Sequence, residues 1–258
     1  MRIFAVPAAL LLACCLYMPL PAARESLFRL IDRAYSAILR LFTRRTGHTD
    51  DAPAPLSFLL FLSGALALLG AVHPLVSMAL MAPAFTGLTI LPHCAAIKAE
   101  LDSGRYARDI PAYEALVRQT CAALAPAFIQ GVVAPLLLGA LGMPLHLGAA
   151  LCGIYVCFQA LQDRLPAVRR PLSALHRISE RIFAFFLLLC SGAVGRNPLR
   201  TKGKSADERL LSILGVADNA TGTHAPMAGD IAQGVFLCAF ASAILCFALC
   251  AIGFVFCR

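Results

Sequence analysis

The sequence predicts an all-α protein, a polytopic integral membrane helical bundle with about six crossings and additional cytoplasmic amphipathic helices. Three observations support this prediction. Hydrophobic residues make up 60% of the chain, charged residues make up 14%, and the mean hydropathy is +0.78. Soluble domains have about 45–50% apolar and about 25% charged residues. Apolar runs of membrane-spanning length recur along the chain, and the polar segments between them are basic.

The predicted spans follow from run length, because a helix needs about 20 apolar residues to cross about 30 Å of hydrocarbon. They are residues 3–22, 56–72, 75–96, 121–142, 145–162 and 231–256. Very few residues join the second span to the third and the fourth to the fifth, so each pair is predicted to form a tight helical hairpin. For the first run, which follows Arg2, a cleaved signal peptide is the alternative to a retained span.

The polar loops determine the predicted orientation. Each carries several Lys or Arg residues near a span, so the positive-inside rule places them all in the cytoplasm: 23–55, 97–120, 163–181 and 196–230. The apolar run 182–195 lies between two of these loops and is shorter than a span. It is therefore predicted to be re-entrant or interfacial. The chain is then one membrane domain, 1–258, in the cell (inner or plasma) membrane, with both termini outside.

Two of the loops contain helical patterns. In LFRLIDRAYSAILRLF, apolar residues recur at helical spacing with arginines on the other face. This predicts a basic amphipathic helix that either lies on anionic lipid or packs on the bundle. The segment IKAELDSGRYARDIPAYEALVRQ predicts a second helical region, interrupted at Gly104 and again near Pro111.

The sequence contains few patterns that are typical of a catalytic or metal-binding site. No nucleotide-binding glycine loop, GxSxG or HExxH motif occurs, no Cys/His spacing typical of a metal site is present, and nucleic acid is not an expected partner. A polar site is therefore expected in the loops, where guanidinium groups suit bidentate contact with phosphate. The candidate ligand-binding residues are Arg105, Arg108, Arg170 and Arg181. The alternative is that these arginines only set topology and touch lipid headgroups.

Several segments follow one another in a recognisable order: LFRLIDRAYSAILRLF, AIKAELDSGRYAR, QGVVAPLLLGALGMPL, RRPLSALHRISERIF and ERLLSILGVADNATG. Together they resemble the integral membrane synthase family of cobalamin biosynthesis (CobD/CbiB). That family joins aminopropanol or its phosphate to adenosylcobyric acid. The resemblance lies in the shared order of segments over roughly residues 4–256, and it implies a ligase-like activity.

The chain departs from this family where the family has polar side chains. The matching positions are Leu124, Ala125 and Pro126 for an Ala-Glu-Asn stretch, Gln130 for an Asp, Ala150, Gly153 and Val156 for Lys, Asn and Asp, Leu172 and Ser173 for paired aspartates, and His176 for an Asn. Carboxylates at such positions would hold Mg²⁺ near a phosphate or act as acid and base. The sequence therefore predicts a family scaffold from which these groups have been lost.

Two functions stay open. The first is a divergent synthase, for which the resemblance implies ATP and Mg²⁺ as cofactors and a corrinoid intermediate as ligand. Another acid would then have to supply the chemistry, such as Glu100, Asp102, Asp109 or Glu114. The second is a non-catalytic regulatory or signalling relative of the family (AmpE-like). Its partners would be the lipid bilayer and another membrane or cobalamin-pathway protein. A transporter accessory rests on protein class alone.

Overall fold

The computed structural model of the chain describes residues 5–17, 22–46, 53–106, 109–142, 147–192, 205–216 and 225–256. Over these ranges the regular structure is helical and contains no strand, which confirms the all-α prediction. The chain divides into two compact units. Unit 1 comprises Met1–Thr86, Pro135–Leu175 and Ile252–Arg258, and unit 2 comprises Gly87–Ala134 and His176–Ala251.

Eleven α-helices lie in the described ranges. They are α1 (Ala5–Tyr17), α2 (Ala23–Thr46), α3 (Pro53–Val72), α4 (Pro74–Met81), α5 (Ile90–Asp102), α6 (Ile110–Phe128), α7 (Ala134–Gly142), α8 (Gly148–Leu161), α9 (Pro166–Ser191), α10 (Ala206–Leu214) and α11 (Ala228–Phe256).

Unit 1 is built around the packing of α3 and α4 against α8, with α1 on α4 and α2 on α3 and α8. Apolar side chains of α2 and α8 meet in a buried cluster of Tyr35, Cys157 and Leu161. The start of α4 follows from local sequence: Pro74 occupies the first helical turn, and His73 accepts a hydrogen bond from the Leu75 N–H at 3.2 Å. Helix α2, which lies in the first predicted loop, thus contacts α3 and α8 of its own unit.

Unit 2 contains two long helices that run parallel. The Tyr113 hydroxyl of α6 accepts a hydrogen bond from the Ala228 N–H at the start of α11, at 2.8 Å. Further along both helices, a Cβ on Gly234 would lie 2.8 Å from Cδ1 of Leu124. Because residue numbers increase together along the two helices, α6 and α11 begin on the same side of the unit.

The amphipathic helix α10 packs on α6 and is held at both ends. At its N-terminus, the Glu180 carboxylate of α9 accepts a hydrogen bond from the Ala206 N–H at 3.2 Å, where the helix dipole favours negative charge. At its C-terminus, Gly215 adopts a φ of 78°, and the Val216 N–H donates to the Leu211 carbonyl. This is a glycine-terminated helix stop.

Two neighbouring elements of unit 2 depart from α-helical geometry at one place. Gly87 lies in the 3₁₀ turn Thr86–Thr89, which precedes α5, and the π-helical turn Ile129–Val133 joins α6 to α7. A Cβ on Gly87 would lie 2.3 Å from the Ala127 carbonyl oxygen and 2.9 Å from Cα of Gly131. Only glycine permits this approach of two backbones.

By length and composition, the helices Ile110–Gly142 and Ala228–Val255 can cross a membrane. A third crossing is possible if Pro74–Ala84 and Thr86–Asp102, bent by 52°, act as one span. Shorter apolar helices occur at Ala5–Leu16, Phe61–Val72 and Gly148–Leu161. The helical, membrane-compatible character is therefore present, and the number of six crossings stays a prediction.

Several helix boundaries in the structure differ from those predicted from the sequence. Residues 110–120, predicted as part of a loop, form the first turns of α6, and Pro111 lies in its first turn. The predicted interruption of this helical region at Gly104 is present in the structure, where Gly104 has a φ of 78°. The run 182–195 was predicted to be re-entrant or interfacial, and its described residues 182–191 continue α9 without a break from Pro166. Pro171 lies inside that helix.

Candidate functional site

Some of the positions at which the resemblance predicts polar residues are buried in this chain, namely Leu124, Ala125, Ala150, Val156 and Leu172, whereas Pro126, Gln130 and Ser173 are exposed. In unit 2, Leu124 and Ala125 have 0% exposure. The close approach of Leu124 to Gly234 fills the space beside it. A carboxylate at either position would lie in an apolar interior without water, which is a costly place for a charge.

In unit 1, α8 carries the second group of matching positions. Ala150 and Val156 are buried, and a Cβ on Gly153 would lie 2.2 Å from Cδ1 of Leu66 on α3. The Leu66 side chain therefore occupies the volume that a polar side chain at Gly153 would need. No acidic or basic residue occurs in α8.

Two buried polar side chains of α8 are joined by a hydrogen bond within the helix. The Gln159 amide donates a hydrogen bond to the Tyr155 hydroxyl at 2.8 Å, and both side chains are buried. The sequence did not single out this pair, although a Gln four residues after a Tyr on a helix is spaced for contact.

The third group of matching positions lies along α9. Leu172 is buried, while Ser173 is exposed and donates to the Arg170 carbonyl at 3.0 Å. Burial lowers the pKa of His176 from its usual 6.5, so the neutral imidazole is favoured there. The resemblance predicts paired aspartates at these two positions, whereas Leu172 and Ser173 carry no negative charge.

The four acids that were alternative sources of chemistry each have a local structural role. The Asp102 carboxylate lies 2.6 Å from Lys98 Nζ, Glu100 pairs with Arg105, and Glu114 lies 3.5 Å from Arg118. Asp109 accepts a hydrogen bond from the Ala112 N–H at 3.1 Å and caps α6. These acids stabilise helices α5 and α6.

The predicted ligand-binding arginines have different surroundings. Arg105 is exposed and engaged by Glu100, and Arg108 lies outside the described residues. Arg170 and Arg181 are exposed on α9. They are eleven positions apart on an unbroken helix, which corresponds to an axial rise of about 16 Å. Their ligand-binding role stays a prediction.

Two other arginines, which the sequence suggested only as topological charges, have defined structural roles. Both Arg164 Nε and Nη2 lie 3.0 Å from the Asp32 carboxylate, and Nη1 donates to Ser36 Oγ at 2.8 Å. Arg169 Nε donates to the Gln162 carbonyl at 2.8 Å, at the end of α8. A basic residue near a helix C-terminus is a local signal for the second role, whereas no local signal could reveal the partner of Arg164.

The cofactors that the resemblance implies do not fit the residues present. Among the described residues, no group of three or more His, Cys, Asp and Glu side chains is arranged to hold a metal ion. The buried positions of this set hold apolar side chains, and the nearby loop acids are engaged in pairs or caps. We therefore derive no step through Mg²⁺ or ATP for this chain.

Comparison of the chain with protein-family models, curated proteins and solved structures finds no match. The class that the fold defines is a helical protein, in which two or three helices of the described ranges are long and apolar enough to cross a membrane. The resemblance to the cobalamin synthase family stays a prediction drawn from the order of its segments.

Proposed function

We propose that this chain is a multi-pass protein of the cell membrane, a divergent relative of the cobalamin synthase family that acts by binding and not by catalysis. Its partners in this proposal are the bilayer and a second membrane or cobalamin-pathway protein. The observation that carries the proposal is the contact between α3 and α8, where Leu66 fills the space beside Gly153.

This contact matters because a lost catalytic residue can leave a cavity that is ready for another group. Here the space is filled, and the neighbouring Ala150 and Val156 are buried at 4% and 5% exposure. Interiors are close-packed, and inserting a larger side chain into such a region costs about 1–3 kcal/mol. The packing supports a scaffold adapted to the absence of the polar groups.

The membrane part of the proposal is supported by composition and by the two long apolar helices. Exposed large apolar side chains recur along α3 and α11, such as Phe61 and Leu68 at 75% and 73% and Phe247 at 77%. Large exposed apolar surfaces are rare in water-soluble monomers and are expected where lipid covers the protein.

The test is complementation of a bacterial strain that lacks the cobalamin synthase. The chain, carrying a tag and verified in the membrane fraction, is expected to give no corrinoid-dependent growth, while an intact family synthase restores it. Full rescue by this chain would refute the non-catalytic proposal. Single amide substitutions of Glu100, Asp102, Asp109 and Glu114 would then identify the acid that performs the chemistry.

A second measurement tests whether the protein binds a corrinoid. Purified chain is heated with and without a corrinoid precursor, for wild type and for Arg170→Lys and Arg181→Lys. A ligand-dependent rise in Tm that Lys abolishes would assign the corrinoid to these arginines, because Lys lacks the planar guanidinium fork. An unchanged Tm in wild type leaves a protein partner as the binding function.

A further inference from the structure

We propose that α1 is retained in the mature protein as a packed helix of unit 1 and is not removed as a signal peptide. The sequence left both possibilities open, and three features of the structure separate them. The third of these features rests on the membrane placement proposed above.

The first feature is the side of α1 that lies inside unit 1. Val6, Ala9 and Ala13 recur at helical spacing and are buried, while Leu11 on the opposite side is 68% exposed. Small residues inside and a large apolar residue outside are typical of a helix that packs among other membrane helices. The apolar region of a signal peptide needs no such division into sides.

The partners of the buried side are also defined. Helix α1 contacts α4 and the 3₁₀ turn Ala82–Ala84 that follows it. A Cβ on Gly139 of α7 would lie 3.1 Å from Cγ2 of Val6 and 3.6 Å from Sδ of Met81, which is buried. Loss of α1 would therefore leave a cavity beside Gly139 in a packed interior, which is destabilising.

The second feature is the structure of the segment in which cleavage would occur. The stretch PLPAARES offers small residues at Ala22 and Ala23. The Ala22 carbonyl accepts hydrogen bonds from the Ser26 N–H at 3.1 Å and from the Ser26 hydroxyl at 3.2 Å, and α2 begins at Ala23. Proteolysis favours exposed segments without regular structure. The peptide bond between the two alanines instead belongs to the first turn of a helix.

The third feature is the side of the membrane on which α2 lies. Both Arg164 Nε and Nη2 lie 3.0 Å from the Asp32 carboxylate, so α2 and the segment after α8 lie on the same side. In the predicted orientation this side is the cytoplasm, because both segments carry several arginines. Signal peptides are removed on the opposite side of the membrane, where a secreted chain emerges.

The first test is the intact mass of the full chain. The chain is expressed in bacteria with a C-terminal tag, and the membrane and soluble fractions are separated before purification. We expect a single mass that still includes α1. A secreted protein with a cleavable signal peptide, expressed in the same cells, is the control and should be recovered without that peptide. A chain that lacks α1 would overturn the proposal.

The second test is the packing of α1, measured as Tm in detergent. Ala9→Leu should lower Tm by about 3 °C or more, because a larger side chain has no room in the interior. Ala9→Val adds less volume and should lower Tm by a smaller amount. Ala8→Leu is the matched control, since it is the same substitution at the preceding, partly exposed position of α1. It should change Tm by less than half as much as Ala9→Leu.

Equal Tm changes in Ala8→Leu and Ala9→Leu, or no change in either, would also overturn the proposal. The mass decides whether α1 is retained in whichever fraction the chain is found. A chain outside the membrane fraction would in addition refute the membrane placement. Because neither measurement depends on complementation, failure here is distinguishable from failure of the non-catalytic proposal.

Discussion

At the scale of single residues, the arginines of this chain differ in the contacts that they make. Arg164 contacts Asp32 and Ser36, Arg169 caps α8, and Arg105 pairs with Glu100. Arg181 instead lies on an exposed side of α9. A basic loop in a membrane protein therefore does more than set orientation, and each arginine has to be considered by its contacts.

Arg164 is expected to stabilise unit 1 by connecting α2 to the segment after α8. Its pair with Asp32 is bidentate, but the side chains are 51% and 36% exposed, so solvent screens it. Arg164→Ala should lower the free energy of unfolding by about 1 kcal/mol, seen as a Tm decrease in detergent of about 2–4 °C. Arg33→Ala, an exposed arginine of α2, is the control and should change Tm by less than half as much.

A double-mutant cycle isolates the contact. Asp32→Ala should cost about as much as Arg164→Ala, and the double variant should cost little more than either. Additive losses would show that the two side chains act independently and that the contact between them does not contribute to stability.

His176 makes stability depend on pH. Its folded-state pKa is lowered by burial from 6.5, so the unfolded chain binds more protons than the folded chain in the range below pH 6.5. Stability should therefore be unaffected by this group above that range and should fall as pH decreases through it. The measurement is Tm between pH 7.5 and 5.0 for wild type and His176→Gln, and the variant should show a shallower decline. Parallel curves for the two proteins would contradict this role.

At the scale of elements, the close contact of Gly87 in the 3₁₀ turn with the π-helical turn leaves no room for a larger side chain. A Cβ at Gly87 meets backbone atoms, which cannot move away as a side chain could. Gly87→Ala should lower the free energy of unfolding by about 1–3 kcal/mol. Thermal unfolding in detergent measures the loss.

Gly64 of α3 is the matched control, because nothing lies within 4 Å of a Cβ placed there. Gly64→Ala should leave stability unchanged or raise it by up to about 1 kcal/mol, since alanine favours the helix. If both substitutions have the same effect, the close backbone contact at Gly87 does not constrain the fold.

The sequence predicted the helical class and most helix positions because hydropathy reports burial or lipid contact directly. It also predicted the interruption at Gly104 from local residue chemistry. It could not predict that α9 continues unbroken from Pro166 to Ser191, because the change from charged to apolar composition near Arg181 resembles a boundary between elements.

The contacts around the matching positions also could not be predicted from the sequence. Leu66 and Gly153 lie on helices far apart in the chain, and so do Arg164 and Asp32. Local patterns carry no information about such pairs. The resemblance predicts a loss of polar side chains at Ala150, Gly153 and Val156, and that stays a prediction, whereas the Leu66 side chain beside Gly153 is visible only in the structure.

At the scale of the whole molecule, the parallel helices α6 and α11 bear on the number of crossings. Because both begin on the same side of unit 2, an even number of crossings should separate their starting points. In the six-crossing prediction, the spans 121–142 and 145–162 provide two crossings between these starting points, and the run 182–195 does not cross.

The most direct test of this arrangement is the accessibility of single introduced cysteines to a membrane-impermeant maleimide in intact cells. Suitable exposed positions are Asp163→Cys before α9, Glu208→Cys in α10 and Leu141→Cys near the end of α7. The unmodified chain gives the background from native thiols, and permeabilised cells show that each new thiol can react. We predict that Asp163→Cys and Glu208→Cys are protected in intact cells while Leu141→Cys is labelled. Labelling of Asp163→Cys or Glu208→Cys alone would show that α9 crosses the membrane and would contradict the account.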